Sequence, residues 1–188
     1  TLGKNWKVED DSLFIEPSMK RSINRQTLNE YLVTADEYEN FELNLEWKIS
    51  PCGNSGILFD VIQSKDYSTP YQTGPEMQVL DNACHHDTRY RTHRAGDLYD
   101  MIECKYVTVK PAGEWNQVRL IKNKGKVEHW LNGVKVVEYE MYTDQWRAMI
   151  KASKFKDLAG FGTAQKGYIS LQDHGDKVWY RNIKIKVL

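Results

Sequence analysis

The stretch from residue 41 to residue 49 alternates apolar and polar side chains without a break. Its apolar members are Phe41, Leu43, Leu45, Trp47 and Ile49, and each of the four positions between them is polar. Successive side chains of a β-strand point to opposite faces of its sheet. The pattern therefore predicts a half-buried antiparallel strand, with one face against the core and the other in solvent.

Strand patterns recur through the rest of the chain. Residues 76–80 also alternate, with Met77 and Val79 on one face and Glu76 and Gln78 on the other. Further strands are predicted at residues 57–62, 115–122, 178–187 and, on either side of the hairpin dipeptide Asn132-Gly133, at 126–131 and 134–139.

A short helix is predicted after residue 143. Thr143 is a suitable N-cap, and Trp146, Met149 and Ile150 follow at the spacing of one helix face. Many strands, one short helix and no alternation of strands with helices predict an all-β sandwich of two antiparallel sheets. Its 188 residues are expected to form one domain, residues 1–188.

Composition excludes some classes of partner. Basic and acidic residues balance at 26 each, so no electrostatic case exists for nucleic acid or an anionic membrane. No apolar run approaches the roughly 20 residues of a membrane span. The first residues are polar, no signal peptide is visible and the initiating Met is missing, so we expect a mature chain.

Three cysteines leave the redox state open. Cys52, Cys84 and Cys104 match no zinc motif, because no C-x-x-C pair is present. Their odd number excludes a fully paired set within the chain. One disulfide and three free thiols are both compatible with the sequence.

The segment from Gly167 to Gly175 carries the clearest polar face. Ile169 and Leu171 point to one side of a predicted strand, and Ser170, Gln172 and His174 point to the other. A hydroxyl, an amide and an imidazole on one face suit a sugar ligand. The polar segments 70–75 and 82–97 are too long for tight turns, and long loops of compact domains are often functional.

Ordered motifs extend along nearly the whole chain. They are Asn40–Leu43 with Glu46–Lys48, Gly53–Ile57, Glu76–Asp81, Gly96–Tyr99, Lys110–Asn116, His129–Gly133, Gly167–Gly175 and Arg181–Ile185. Taken in this order, they resemble one family, the 3-keto-disaccharide hydrolase domain. The resemblance implies a concanavalin A-like jelly roll exported to the periplasm or cell surface. It also implies activity on glycosides oxidised to a ketone at C3. Asp97 departs from the pattern, since a small residue is more usual there.

A ketone at C3 acidifies the hydrogen on C2, so a base can start elimination of the C1 group, and water can then add. Such a site needs a general base and a positive group at the enolate oxygen. His174 and Glu76 are the candidate catalytic residues, with His174 as the candidate base and Glu76 as a candidate base or metal ligand. If their strands line one sheet face, Glu76, Gln78, Gln172 and His174 converge on one sugar. The candidate substrate-binding residues are Gln78, Asp81, Gln172, Asn54, Tyr99, Arg181 and Lys110.

No cofactor is certain from the sequence. A divalent metal ion could stabilise the enolate, and Glu76, His174 and Asp81 are its candidate ligands. Residues 85–87, His-His-Asp, could also hold a metal, although a polar surface loop explains them equally well. The oligomeric state is not indicated by the sequence.

Simpler interpretations compete with each assignment. His174 could cap the turn before Gly175, and Glu76 could be a solvated sheet residue. Trp47, Trp115 and Trp130 are expected in the core. The main alternative function is a non-catalytic, lectin-like carbohydrate-binding module on the same fold, because fold alone does not decide function.

Overall fold

Two antiparallel sheets face each other in the computed structural model, which describes residues 5–16 and 31–188. The strands are β1 Trp6–Glu9, β2 Ser12–Ile15, β3 Leu32–Val33, β4 Phe41–Ile49, β5 Asn54–Val61, β6 Glu76–Leu80, β7 Asn116–Asn123, β8 Lys126–Leu131, β9 Val134–Glu140, β10 Tyr168–Leu171 and β11 Val178–Val187. The α-helix is α1, Asp144–Ala152, and two 3₁₀ turns span Pro70–Gln72 and His86–Arg89. The first four residues of the polar N-terminal stretch lie outside the described residues.

The larger sheet has the strand order β1-β2-β11-β4-β7-β8-β9, and the smaller has the order β3-β10-β5-β6. Strand β4 lies between β11 and β7 and pairs antiparallel with both. Its apolar side chains are buried and alternate with half-buried polar ones. The predicted strand at residues 41–49 is therefore confirmed.

Apolar side chains from both sheets meet in the core. Phe41 of β4 packs edge-to-face on Phe59 of β5, with ring centroids 6.1 Å apart. Met77 and Val79 of β6 join the same core, as the alternation predicted. Each such side chain contributes roughly 1.5–3 kcal/mol when fully buried. Because these residues face the larger sheet, the side chains between them on β6 must face away from it.

The hairpin and the helix also form where the sequence predicted them. Asn132 and Gly133 both have positive φ between β8 and β9, as a type I′ turn requires. The Thr143 hydroxyl accepts a hydrogen bond from the Trp146 amide and caps α1. No helix in the described residues is long and apolar enough to span a membrane. The all-β sandwich with one short helix is confirmed.

The structure resolves the open question about the cysteines. Cys52, which precedes β5, forms a disulfide with Cys84, which follows β6, and Cys104 is free. The bond joins the ends of two paired strands of the smaller sheet.

The expectation for the tryptophans is only partly correct. Trp47 is fully buried, but Trp115 and Trp130 are only half-buried, on the outer side of the larger sheet. The Arg181 guanidinium lies 3.9 Å from the centre of the Trp115 ring, and Arg119 lies over Trp130. Cation–π contacts thus take the place of core packing for these two rings.

Candidate functional site

A cavity of about 190 Å³ opens on the face of the smaller sheet that points away from the core. It lies where β5, β6 and the end of β10 run side by side. It is lined by Tyr31, Asn54, Tyr71, Glu76, Gln78, Tyr99, Lys154, Phe155, Gln172 and His174. The four side chains predicted to converge, Glu76, Gln78, Gln172 and His174, all lie around it.

Glu76 is the buried acid of this cavity. Only 6% of the residue is exposed, so the interpretation as a solvated sheet residue is wrong. Its side chain lies across Gly56 on the paired strand β5, and a Cβ at residue 56 would overlap the carboxyl group. Burial raises the pKa of Glu76 to about 8, and Lys154 opposes the shift.

Amides line the cavity beside Glu76. Asn54, at the start of β5, is 4% exposed, and its Oδ1 atom has no hydrogen-bond partner in the part of the chain that the structure describes. Gln172 donates from Nε2 to the Tyr31 hydroxyl at 3.3 Å. Gln78 accepts from the amide of Val79. A buried acceptor without a partner costs free energy, so Asn54 is ready to accept a ligand hydroxyl.

His174 is exposed at the cavity mouth. The turn that follows is capped by another residue, because the amide of Gly175 donates to Oδ1 of Asp173 at 2.8 Å. Asp173 thus caps this turn through its side chain, and the alternative that His174 also stabilises the turn stays open. The proposed catalytic role of His174 stays a prediction.

Lys154 was missed by the sequence reasoning. It follows α1, and its amide donates to the Asp100 carboxylate at 2.7 Å. Its Nζ atom lies 3.9 Å from the centre of the Tyr99 ring and 5.2 Å from that of Phe155. Much of the residue is exposed, but the partial burial of its amine lowers the pKa of Lys154.

The same Asp100 carboxylate supports the Tyr99 side of the cavity. His93 contacts Oδ1 of Asp100 through Nε2 at 3.0 Å, and its ring packs on Tyr99 with centroids 4.3 Å apart. The Asp100 carboxylate therefore holds the backbone of Lys154 directly. Through His93 it also positions the Tyr99 ring, over which the Lys154 amine lies. No local sequence pattern could reveal this arrangement, since residues 93–100 and 154 are far apart in the chain.

Three predicted substrate-binding residues lie outside the cavity. Asp81 accepts hydrogen bonds from the amides of Cys52 and Ala83, so it holds the loops near the disulfide. Arg181 pairs with Glu46 on the larger sheet. Lys110 donates to the Trp115 carbonyl, also away from the cavity. The alternation of a strand shows which residues share a face but not which sheet carries them, so it could not show that Arg181 belongs to the larger sheet. Lys110 lies in an irregular segment before β7, where no alternation applies.

Among the described residues, no group of potential metal ligands clusters inside the cavity. In residues 5–16 and 31–188, two groups have donor atoms close enough for one ion: Cys52 with Asp81 and Cys84, and residues 85–87. The two cysteines of the first group form the disulfide. In the second, Nδ1 of His85 already accepts from the amide of Asp87. The predicted set of Glu76, His174 and Asp81 does not form a cluster.

Asp97, the residue that departs from the family pattern, has a structural role. It is almost fully buried, and its two carboxylate oxygens accept hydrogen bonds from the amides of Arg94 and Cys104. The carboxylate therefore closes the loop that carries Tyr99 into the cavity.

The fold and the site together define a jelly-roll β-sandwich with a polar, aromatic-lined cavity of the kind that binds sugars. A family model described as the 3-keto-alpha-glucoside-1,2-lyase-like domain matches residues 1–186, and the chain belongs to this family.

A named relative supports the family assignment. A 3-keto-disaccharide hydrolase of Bacteroides thetaiotaomicron is 40% identical over 178 residues, which cover 84% of this chain and 61% of that protein. The chain thus spans about three fifths of the length of this relative.

Solved structures show the same fold. A crystal structure titled "putative glycosyl hydrolase" from Parabacteroides distasonis has a TM-score of 0.88 and 32% identity, covering 98% of this chain and 84% of that one. A carbohydrate-binding module, CBM66 of Bacillus subtilis, matches with a TM-score of 0.59 at 10% identity, over 96% of this chain and 90% of that one. The latter likeness concerns the fold alone.

Proposed function

We propose that this chain is a hydrolase or lyase of 3-keto-glycosides. The proposal rests on the cavity, with family membership and the named relative in support. Its central observation is a buried carboxyl group, Glu76, among amides and aromatic rings suited to a sugar. A binding module needs the amides and rings but gains nothing from a buried acid, whose ionisation costs free energy.

Glu76 acts as the general base in this proposal. Its raised pKa of about 8 makes its carboxylate a stronger base than an ordinary glutamate near neutral pH. It takes the proton from C2, and the electron pair forms an enolate with the C3 ketone. The enolate then expels the oxygen at C1, and the departing oxygen takes up a proton. His174, at the cavity mouth, is placed to supply that proton.

Water completes the hydrolysis. It adds its oxygen to C1 and a proton to C2 of the unsaturated sugar, which restores the 3-keto-sugar. Release of the unsaturated sugar before this step gives the lyase outcome. The enolate oxygen needs a positive neighbour, and the Lys154 side chain, which lines the cavity, supplies it in this proposal.

Incubation with a 3-keto disaccharide tests the proposal. We expect the wild-type chain to release the leaving sugar, and Glu76→Gln to lose at least 100-fold in kcat, the usual minimum for a positioned acid–base group. Glu114→Gln, at an exposed position outside the cavity, is the matched control and should keep full activity. Binding of the disaccharide by the wild-type chain without any release would favour the lectin-like alternative.

We further propose that the protein works in the periplasm or at the cell surface. The Cys52–Cys84 disulfide supports this location, because disulfides persist in oxidising compartments. Fractionation of the native cells checks it: recovery of the protein only from the reducing cytosol would contradict the proposal.

A further inference from the structure

The amine of Lys154 has no polar partner among the described residues. Its Nζ atom makes no hydrogen bond or ion pair with any described residue, and its close neighbours are the rings of Tyr99 and Phe155. Lys48 and Lys177 also lie over aromatic rings, but neither lines the cavity. Two further lysines have polar partners. Lys122 is paired with Asp60 at 2.6 Å, and Lys110 donates to a carbonyl.

The position of this amine relative to Glu76 is informative. Both side chains line the same cavity, and each affects the pKa of the other, yet no ion pair joins them in the described structure. The amine and the carboxyl therefore flank a space in which a ligand would lie between them. Partial burial lowers the pKa of Lys154, and this favours the unprotonated amine, the form that attacks carbonyl carbons.

We propose that Lys154 forms a covalent imine with the C3 ketone of the substrate, an inference that rests on the proposed function. The Lys154 ammonium first gives up a proton to solvent, and the neutral amine adds to the C3 carbon. The adduct takes a proton back from solvent and loses its hydroxyl as one water, which gives a protonated imine. This cation withdraws electrons from C2 more strongly than the ketone does. Glu76 takes the C2 proton, and the electron pair passes into an enamine between C2 and C3.

The enamine then expels the C1 oxygen, which takes up a proton from His174 and leaves as an alcohol, and a C1–C2 double bond forms beside the protonated imine. Water adds across that double bond, and a second water hydrolyses the imine to the ketone and the free amine. One water is released and two are consumed, so the net change is hydrolysis of one glycosidic bond. The imine also explains recognition, because a sugar without a C3 carbonyl cannot form it.

Reductive trapping tests the imine. The wild-type protein is incubated briefly with 3-keto-trehalose and sodium cyanoborohydride, which reduces protonated imines to stable amines, and the modified lysines are mapped by peptide mass spectrometry. We expect a reduced sugar on Lys154 well before any other lysine reacts. Unoxidised trehalose, which has no free carbonyl, should give no adduct.

Two substitutions separate covalent chemistry from charge alone. Lys154→Arg keeps a positive group but cannot form an imine, and Lys154→Met keeps neither. We expect both to lose turnover to a similar degree, at least 100-fold, with unchanged melting temperatures. Lys151→Arg, at an exposed position of α1 outside the cavity, should behave as the wild-type protein.

The outcomes distinguish the two proposals. Turnover of 3-keto-trehalose without preferential labelling of Lys154 overturns the imine and leaves the proposed function intact, as does a Lys154→Arg variant within tenfold of wild-type turnover. Absence of both turnover and labelling removes the proposed function and the imine together.

Discussion

At residue 56 the chain has a glycine directly beneath the carboxyl group of Glu76, and any larger side chain would occupy the same space. We expect Gly56→Ala to turn the Glu76 side chain out of its position and to lower kcat by at least 100-fold, comparable to the loss of a positioned base. The fold should persist, because the group that must move is the flexible end of a side chain.

A double substitution checks the cause of that loss. Glu76→Asp shortens the acid by one methylene and leaves room for a Cβ at residue 56. In Gly56→Ala/Glu76→Asp, we expect a smaller loss of kcat than the two single losses multiplied together. Strictly multiplicative losses would show that Gly56 does not act through Glu76.

At the scale of elements, the disulfide holds the start of β5 to the loop after β6. The bonded cysteines are 32 residues apart, and a loop of this size is stabilised by about 2–4 kcal/mol when closed by a disulfide. We expect Cys52→Ser/Cys84→Ser to lower the free energy of unfolding by that amount, measured by urea denaturation. Cys104→Ser, which removes the free thiol, is the control and should have a much smaller effect.

Strand faces were predictable wherever one side of a strand is apolar. The alternation at 41–49 and at 76–80 fixed which residues face the core, and it thereby placed Glu76 and Gln78 together. Burial of Glu76 was not predictable, because the loops that cover the smaller sheet come from distant parts of the chain. The position of Lys154 depends on its hydrogen bond to Asp100, a contact 54 residues away in sequence.

The errors have a related physical cause. Trp115, Trp130 and Arg181 lie on the outer face of the larger sheet, where cations cover the aromatic rings. A tryptophan in a strand pattern looks like a core residue until its sheet and its neighbours are known. The choice between one disulfide and three free thiols likewise required the pairing of β5 with β6.

At the scale of the whole molecule, Glu76 makes stability depend on pH. The pKa of Glu76 is about 8 in the folded protein and 4.5 in the unfolded reference state. Between these two pH values, Glu76 therefore keeps its proton in the folded protein more than in the unfolded one. The unfolded protein binds fewer protons there, and the free energy of unfolding must fall as pH rises. Buried Asp97, whose pKa is about 6, also makes the free energy of unfolding fall as pH rises, but at lower pH. His129, whose pKa is about 4, has the opposite effect on the free energy of unfolding below pH 6.5.

The window from pH 6.5 to 8 therefore isolates Glu76. We expect the free energy of unfolding of the wild-type protein, measured by urea denaturation, to decrease across this window. Glu76→Gln should decrease less and be the more stable protein at pH 8, since a neutral amide never ionises. The lowered pKa of Lys154 contributes with the opposite sign. Glu76→Gln removes the carboxylate that opposes this lowering, so the change at Lys154 also makes the decrease smaller in the variant. An equal slope in the two proteins would contradict a buried, protonated Glu76.

The contact between Gly56 and Glu76 also has an evolutionary consequence. A lineage that lost the acid at position 76 would be released from the requirement for glycine at position 56, because no carboxyl group would need the space. A lineage that kept the acid could not accept a larger residue there. The two positions should therefore change together among proteins of this fold. Proteins that have lost both the acid and the glycine should keep the β-sandwich but lack the proposed activity.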